Sequence, residues 1–236
     1  ITTNGSQLAE MAVALRAAGV RRLNISLDSL QRERFAAFTR RDRLDQVLAG
    51  IEAARMAGFE RIKLNSVVQS GRNDDEVLDL IEFAIERGLD ISFIEEMPLG
   101  DVGRSRGESF CSSDEVRERI EARHTLVRSS HATGGPSRYW QVAGSETQVG
   151  FISPHSNNFC GSCNRVRVTC TGELYMCLGQ EDRADLRAPL RASADDAVLH
   201  DAIRAAIAHK PKGHDFDYSR QTVAGQMSRH MSHTGG

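Results

Sequence analysis

No stretch of the sequence approaches the ~20 consecutive apolar residues that a bilayer-crossing helix needs, so nothing in it reads as a membrane span. An excess of one charge is also missing. Thirty Lys and Arg stand against 32 Asp and Glu, a net charge of -2, which argues against a general nucleic-acid or membrane-surface binder. The signature of disorder is absent too: 40% of the 236 residues are hydrophobic and 26% charged, enough to bury a sizeable core. Cysteine is scarce, with five residues and no secretory context, and this excludes a disulfide scaffold. There is no initiator Met, charged n-region or apolar h-region. The chain opens at Ile1-Thr2-Thr3-Asn4-Gly5 as if cut within a strand, whereas Gly235-Gly236 reads as a terminus.

What is present, over the first hundred residues, is a repeated unit. A helical pattern from Gln7 to Ala18 ends at Gly19 and leads into the strand pattern RRLNISLDSL. A second helix, Asp45 to Ala57, stops at Gly58 before RIKLNSVV. Asn73, with Glu76 three residues on, reads as the capping box of a third helix ended by Gly88, and DISFIEEM follows as a strand. Strands alternating with helices predict right-handed βαβ units and a parallel sheet. Both of the first two strands carry polar residues on one face: Asn24, Ser26 and Asp28 in one, Lys63 and Asn65 in the other. A fully covered parallel sheet is apolar on both faces. Polar inward residues near strand ends are what a β/α barrel uses to build a site, the bland alternative being an internal Lys63–Asp28 ion pair.

Beyond Gly100 the character changes. Residues 100 to 109 form a Gly/Ser/Arg-rich loop, and Ser112 with Glu115 caps a helix. Short strands follow from Arg138 to Cys177, with a hairpin at Thr171-Gly172, and a helix from about Asp195 ends before Pro211. The expected organisation is two domains, 1–105 as barrel and 106–236 as a mixed α+β extension.

Four of the five cysteines (160, 163, 170 and 177) lie close together, which favours metal over disulfide. Two readings stand: a four-Cys zinc site, or an iron–sulfur cluster on Cys160, Cys163 and Cys177. Strand parity groups Cys170 with Val166 and Val168 on a side expected to be buried core, and this gives the three-Cys site a modest edge. Arg165 and Arg167 fall on the opposite side. Two guanidinium forks beside a C-x2-C turn suit phosphate oxygens. His155, His209 and His214 read as hydrogen-bonding loop residues, Tyr139 and Trp140 as packing, and Glu95 and Glu96 receive no proton-transfer role.

The ordered set TTNG, RRLNISLDSL, IKLNSVVQSGRND, SFIEEMPLG, GGPSRYW, VGFISPHSNNFCGSCNRVRV, LYMCLG, AIAHKPKGHDF and a final Gly-Gly resembles the MoaA family. These are the radical S-adenosylmethionine GTP 3′,8-cyclases of molybdenum cofactor biosynthesis. The resemblance implies an incomplete TIM-like β/α barrel whose extension carries an iron–sulfur cluster, in a cytoplasmic enzyme that converts GTP to 3′,8-cyclo-7,8-dihydro-GTP. It implies two 4Fe–4S clusters, one cleaving S-adenosylmethionine to a 5′-deoxyadenosyl radical. The second, with three Cys ligands, would be held here by Cys160, Cys163 and Cys177. By the same resemblance Thr2, Lys63, Arg165, Val166 and Arg167 bind GTP, Ser26 and Met97 hold S-adenosylmethionine, and Gly235 and Gly236 reach the active site. It allows a homodimer, and a downstream cyclic pyranopterin synthase would take the product. Runner-up readings are another radical S-adenosylmethionine enzyme with an auxiliary cluster, such as a peptide-modifying maturase, and a non-catalytic zinc module. Two departures stand out. The sequence contains no C-x3-C-x2-C, the motif that holds the family's first cluster, so the chain alone is expected to be inactive. Ser92 stands where many family members carry Arg, with Arg104 and Arg138 as candidate substitutes.

Overall fold

A computed structural model describes residues 1–100, 107–214, 216, 229 and 231–234. They divide into two compact units, Ile1–Glu96 with Glu108–Ser156, and Met97–Gly107 with Asn157–Gly236.

The first unit is built on one seven-stranded sheet in the order β1-β2-β3-β4-β7-β6-β5. Its strands are β1 (Thr2–Thr3), β2 (Arg22–Ser26), β3 (Arg61–Val68), β4 (Asp90–Glu95), β5 (Leu126–Arg128), β6 (Arg138–Val142) and β7 (Gln148–Ile152). The pairs β1–β2, β2–β3, β3–β4 and β4–β7 are parallel, while β6 runs antiparallel to both β7 and β5. Helices α1 (Leu8–Ala17), α3 (Leu44–Met56) and α4 (Val77–Arg87) form the parallel crossovers. This mostly parallel α/β arrangement is that of a partial TIM-like barrel.

Side-chain alternation explains how the sheet packs. Leu23, Ile25, Leu64, Ile91, Phe93, Val149 and Phe151 are all buried and form the core together with Val77, Leu80, Ile81 and Ala84 of α4. Those four helix positions recur every three or four residues, the spacing of one helix face. Gly88 ends α4 with φ 63°, the left-handed conformation that a glycine adopts without steric cost. Phe93 is among the largest fully buried side chains. Its truncation to Ala is worth about 3–5 kcal/mol.

One local expectation is corrected. Asn73 and Glu76 do not form a capping box. Asn73 instead ties two strand ends together: its Oδ1 accepts from the Gln69 N–H (2.8 Å), and its Nδ2 donates to the carbonyls of Asp28 (2.7 Å) and Val67 (3.0 Å). Glu76 is buried, pairs with Arg34 (2.8 Å) and accepts from the Ser29 hydroxyl (2.7 Å). A further helix, α2 (Arg32–Thr39), follows β2. By contrast α5 (Ser113–Glu121) carries the expected capping box of Ser112 and Glu115.

The second unit holds a three-stranded antiparallel sheet in the order β10-β9-β8, with β8 (Arg167–Val168), β9 (Glu173–Tyr175) and β10 (Arg183–Asp185). Gly172, at φ 82°, makes the turn of the β8–β9 hairpin where Thr171-Gly172 was expected. The helices α6 (Arg187–Ala192), α7 (Ala197–Ala208) and α8 (Met231–Thr234) complete it. Leu174, Met176 and Ala206 form a small separate core.

Candidate functional site

In the first unit, the sheet face opposite the helices carries a continuous polar row. Register sets Ser26 beside Asn65, Asn65 beside Ser92, Ser92 beside Gly150, and Gly150 beside Tyr139. Paired residues on neighbouring strands point to the same face. Thr2 joins that face through its pairing with Asn24, which in turn pairs with Lys63. Gly150 is a gap by necessity. A Cβ there would lie 2.1 Å from the Ser137 Oγ and 2.5 Å from the Ser92 Oγ, two hydroxyls that hydrogen-bond to each other at 3.0 Å.

Lys63 donates to the Tyr139 hydroxyl (3.1 Å), and its ammonium lies 5.7 Å from the ring centroid. It does not pair with Asp28, whose Oδ1 accepts from the Val67 N–H at 2.8 Å. Burial is the larger influence on Asp28 and raises its carboxyl to about 6, against the lowering effect of that N–H. For Tyr139, burial pushes the phenol up. The Lys63 charge and hydrogen bond, helped by Thr133 and Ser137, outweigh it and leave the group below its ordinary value. The Asn65 Oδ1 is buried and has no hydrogen-bond partner among the described residues. The parity of β3 and β2 identified Lys63, Asn65 and Ser26 as one face. Tyr139 was read only as packing, and its bond to a lysine 76 residues away leaves no trace in local sequence. Trp140 does pack, edge-on to Phe151 with centroids 5.1 Å apart.

The second unit holds the cysteines. Cys160–Ser162 forms a 3-10 turn that the Cys163 N–H closes onto the Cys160 carbonyl (3.1 Å), and the Asn158 side chain caps it by accepting from the Cys160 N–H (2.7 Å). Cys160, Cys163 and Cys177 are free and half-buried, whereas Cys170 is exposed. The two-residue alternation continues from Cys163 through Arg165 and Arg167 to buried Thr169, with Val166, Val168 and Cys170 on the other side. The grouping matches the parity reading, but its sign is inverted. Val166 is 39% and Val168 57% exposed, so the valine side faces outward and Cys170 is no core residue. It is set apart by exposure instead.

Charge around these thiols is positive. Burial works to raise the Cys163 thiol, but the backbone and guanidinium of Arg165 hydrogen-bond to it and, with the Lys210 charge, bring it below its ordinary value. Cys177 is raised, chiefly by burial and in smaller part by Cys160 and Cys163. Arg167 is lowered by burial first, then by the like charges of Arg165 and Arg229. Arg229 is itself paired with Glu181 (2.7 Å) and donates to the Leu178 and Gln180 carbonyls (both 2.9 Å). No three His, Cys, Asp or Glu side chains among the described residues are grouped to hold one metal ion, as a mononuclear zinc requires. A four-iron cluster instead spreads its thiolates over separate irons. Three half-buried thiols under positive charge are a donor set that fits such a cluster.

Met97 is half-buried, and its carbonyl accepts from the Leu99 N–H at 2.8 Å. Gly235, Gly236 and Arg104 lie outside the described residues. Of the histidines, His209 Nδ1 meets the Ala205 carbonyl (2.7 Å), the His214 ring lies against Phe216 (centroids 4.3 Å apart), and His155 lies edge-on to Phe110 (5.9 Å). No helix among the described residues is long and apolar enough to cross a membrane.

Comparison with known proteins gives the context of this geometry. The Radical SAM superfamily profile matches residues 1–84, and that of Molybdenum Cofactor Synthesis C matches residues 89–216. A GTP 3′,8-cyclase of Ectopseudomonas mendocina is 72% identical over the whole chain, which spans 71% of that protein's length. GTP 3′,8-cyclase 2 of Pseudomonas aeruginosa is 62% identical with the same coverage, and the Paracoccus denitrificans GTP 3′,8-cyclase is 57% identical, with 69% of its length covered. Among solved structures, Streptococcus suis SuiB bound to S-adenosylmethionine superposes with a TM-score of 0.50 at 13% identity, over 87% of this chain and 49% of that one. That likeness concerns the fold alone. The chain belongs to the radical S-adenosylmethionine family of GTP 3′,8-cyclases.

Proposed function

We propose that this chain performs the GTP 3′,8-cyclase reaction named for its relatives: the radical S-adenosylmethionine-dependent conversion of GTP to 3′,8-cyclo-7,8-dihydro-GTP, a step of molybdenum cofactor synthesis. The supporting observation is the placement of Arg165 and Arg167, both half-buried, on one side of the chain that leaves the Cys160–Cys163 turn. In this reading Cys160, Cys163 and Cys177 hold an iron–sulfur cluster, and Arg165, the Val166 backbone and Arg167 bind the GTP triphosphate. Guanidinium forks match phosphate oxygens and keep their charge at any working pH. When bound, the family's cofactors supply the radical and an open iron position.

On the first unit, Lys63 and Thr2 are the proposed GTP contacts and Ser26 an S-adenosylmethionine contact. The Tyr139 hydroxyl holds the Lys63 ammonium in place on the polar face. The unpartnered Asn65 acceptor beside Ser26 is open to a hydroxyl or ammonium of either molecule. Met97 is the second proposed S-adenosylmethionine contact, and Gly235 and Gly236 are the proposed catalytic tail. A homodimer and a cyclic pyranopterin synthase acting on the product belong to the same proposal.

Because the sequence carries no C-x3-C-x2-C, turnover is tested in a chimera. This chain replaces its counterpart in the Ectopseudomonas mendocina relative, and the chimera is assayed anaerobically with GTP, S-adenosylmethionine and a reductant. Formation of the cyclised nucleotide supports the proposal. A folded, iron-loaded chimera that cleaves S-adenosylmethionine but leaves GTP unchanged refutes it.

A further inference from the structure

The segment after α7 contacts Cys160 and the chain just after Cys163 and just before Cys177. α7 ends at Ala208; Lys210, whose N–H still bonds the Ile207 carbonyl (3.0 Å), is followed by Pro211, which lacks an N–H and cannot continue the helix. The Lys210 ammonium donates to two backbone carbonyls, Arg165 O at 2.9 Å and Met176 O. The first lies two residues after Cys163, the second immediately before Cys177. Three residues on, Gly213 packs beside Cys160: a Cβ on it would lie 3.6 Å from the Cys160 Cβ and 3.7 Å from its Sγ. The Gly213 carbonyl accepts from the Gln180 side chain (3.3 Å), just beyond Cys177.

We infer that Lys210–Gly213 is a strap that fixes the Cys177 segment to the Cys160–Cys163 turn, and that the Lys210 ammonium is the counter-charge of the iron–sulfur cluster held between them. Lys210 is thus a positioning residue. It touches neither thiolates nor substrate in its role, but determines where the thiolates stand. Three thiolates on a four-iron cluster leave a net negative charge, which grows on reduction. A fixed, half-buried cation nearby favours the reduced state, since net charge and hydrogen bonding set cluster potentials. The same ammonium satisfies two carbonyls on separate segments, so removing it frees both segments at once.

This inference rests on the three-cysteine cluster reading, and the experiment separates the two. The chain is reconstituted anaerobically with iron and sulfide, and its iron content, apo-protein circular dichroism and midpoint potential are measured for wild type, Cys163→Ala, Lys210→Met and Lys210→Gln. If wild type takes up no cluster, or if Cys163→Ala keeps the full iron complement, the cluster reading itself fails. Given a cluster that depends on Cys163, Lys210→Met is expected to lose at least half of the iron. Lys210→Gln, which keeps a donor but no charge, is expected to load better than Lys210→Met and to titrate at a more negative potential than wild type. Should Lys210→Met lose its apo fold, the Lys210→Gln potential decides alone. Full iron loading in a folded Lys210→Met, or a wild-type potential in Lys210→Gln, overturns the inference.

Discussion

The hydroxyls of Ser92 and Ser137 meet 3.0 Å apart in the space left by the missing side chain of Gly150. The polar row on the sheet therefore depends on a glycine between Ser92 and Tyr139, and the two serines depend on each other. Gly150→Ala would drive a methyl group into both oxygens. It should destabilise the protein by about 1–3 kcal/mol, the usual cost of overpacking, read as a lower urea midpoint with unchanged slope. Ser137→Gly should partly rescue Gly150→Ala, because the closest clash, 2.1 Å from the Ser137 Oγ, disappears.

Asp28 gives a pH signature. Its folded carboxyl titrates at about 6, above the ~3.9 of an unfolded Asp. Between these values the folded state binds more protons than the unfolded one, so stability falls as pH rises from about 4 to 6 and is level above that. Asp28→Asn should flatten this slope and raise stability at pH 7 by roughly 1–3 kcal/mol. Urea unfolding at pH 4, 5, 6 and 7 checks it. A wild-type slope in the Asn variant would remove Asp28 from the account.

The cysteines separate by substitution. Cys170→Ala should leave iron content intact after reconstitution, since Cys170 is exposed while the other three thiols are half-buried. Cys177→Ala and Cys160→Ala should each abolish the cluster. Cys111 is buried, and burial pushes its thiol up to about 11, so it should neither ligate iron nor react with a thiol reagent in the native state.

Ser112→Ala removes one half of a complete capping box at the start of α5. The expected cost is about 0.5–2 kcal/mol, with iron content unchanged. A thermal melt of the variant reads it directly.

How far the sequence carried these assignments depended on whether the deciding contact was local. The βαβ units were legible because burial repeats with the helix period in α4 and with a period of two along β3. Helix α2 was not: Phe35 is its one buried side chain, so no apolar periodicity marks it. Asn73 and Glu76 have the spacing of a cap, yet the carbonyls of Asp28 and Val67 and the Arg34 guanidinium claim their side chains. Parity grouped Arg165 with Arg167 and Cys170 with the valines. It could not say which side faces out, because β8 is an edge strand of a three-stranded sheet, where valine content does not guarantee cover. Nothing in the local sequence around Lys210 or Tyr139 announces partners 45 or 76 residues away.

The central claim is that the half-buried arginines following the cysteine turn bind the triphosphate of GTP. Calorimetry on the anaerobically reconstituted chain, with GTP and with guanosine, tests it most directly. Each guanidinium should contribute about 1.5–3 kcal/mol through charge-assisted bonds. GTP should therefore bind at least tenfold more tightly than guanosine, Arg167→Ala should lose most of that margin, and Arg167→Lys should recover only part of it. Equal affinity for GTP and guanosine, or unchanged GTP binding in Arg167→Ala, would contradict the account.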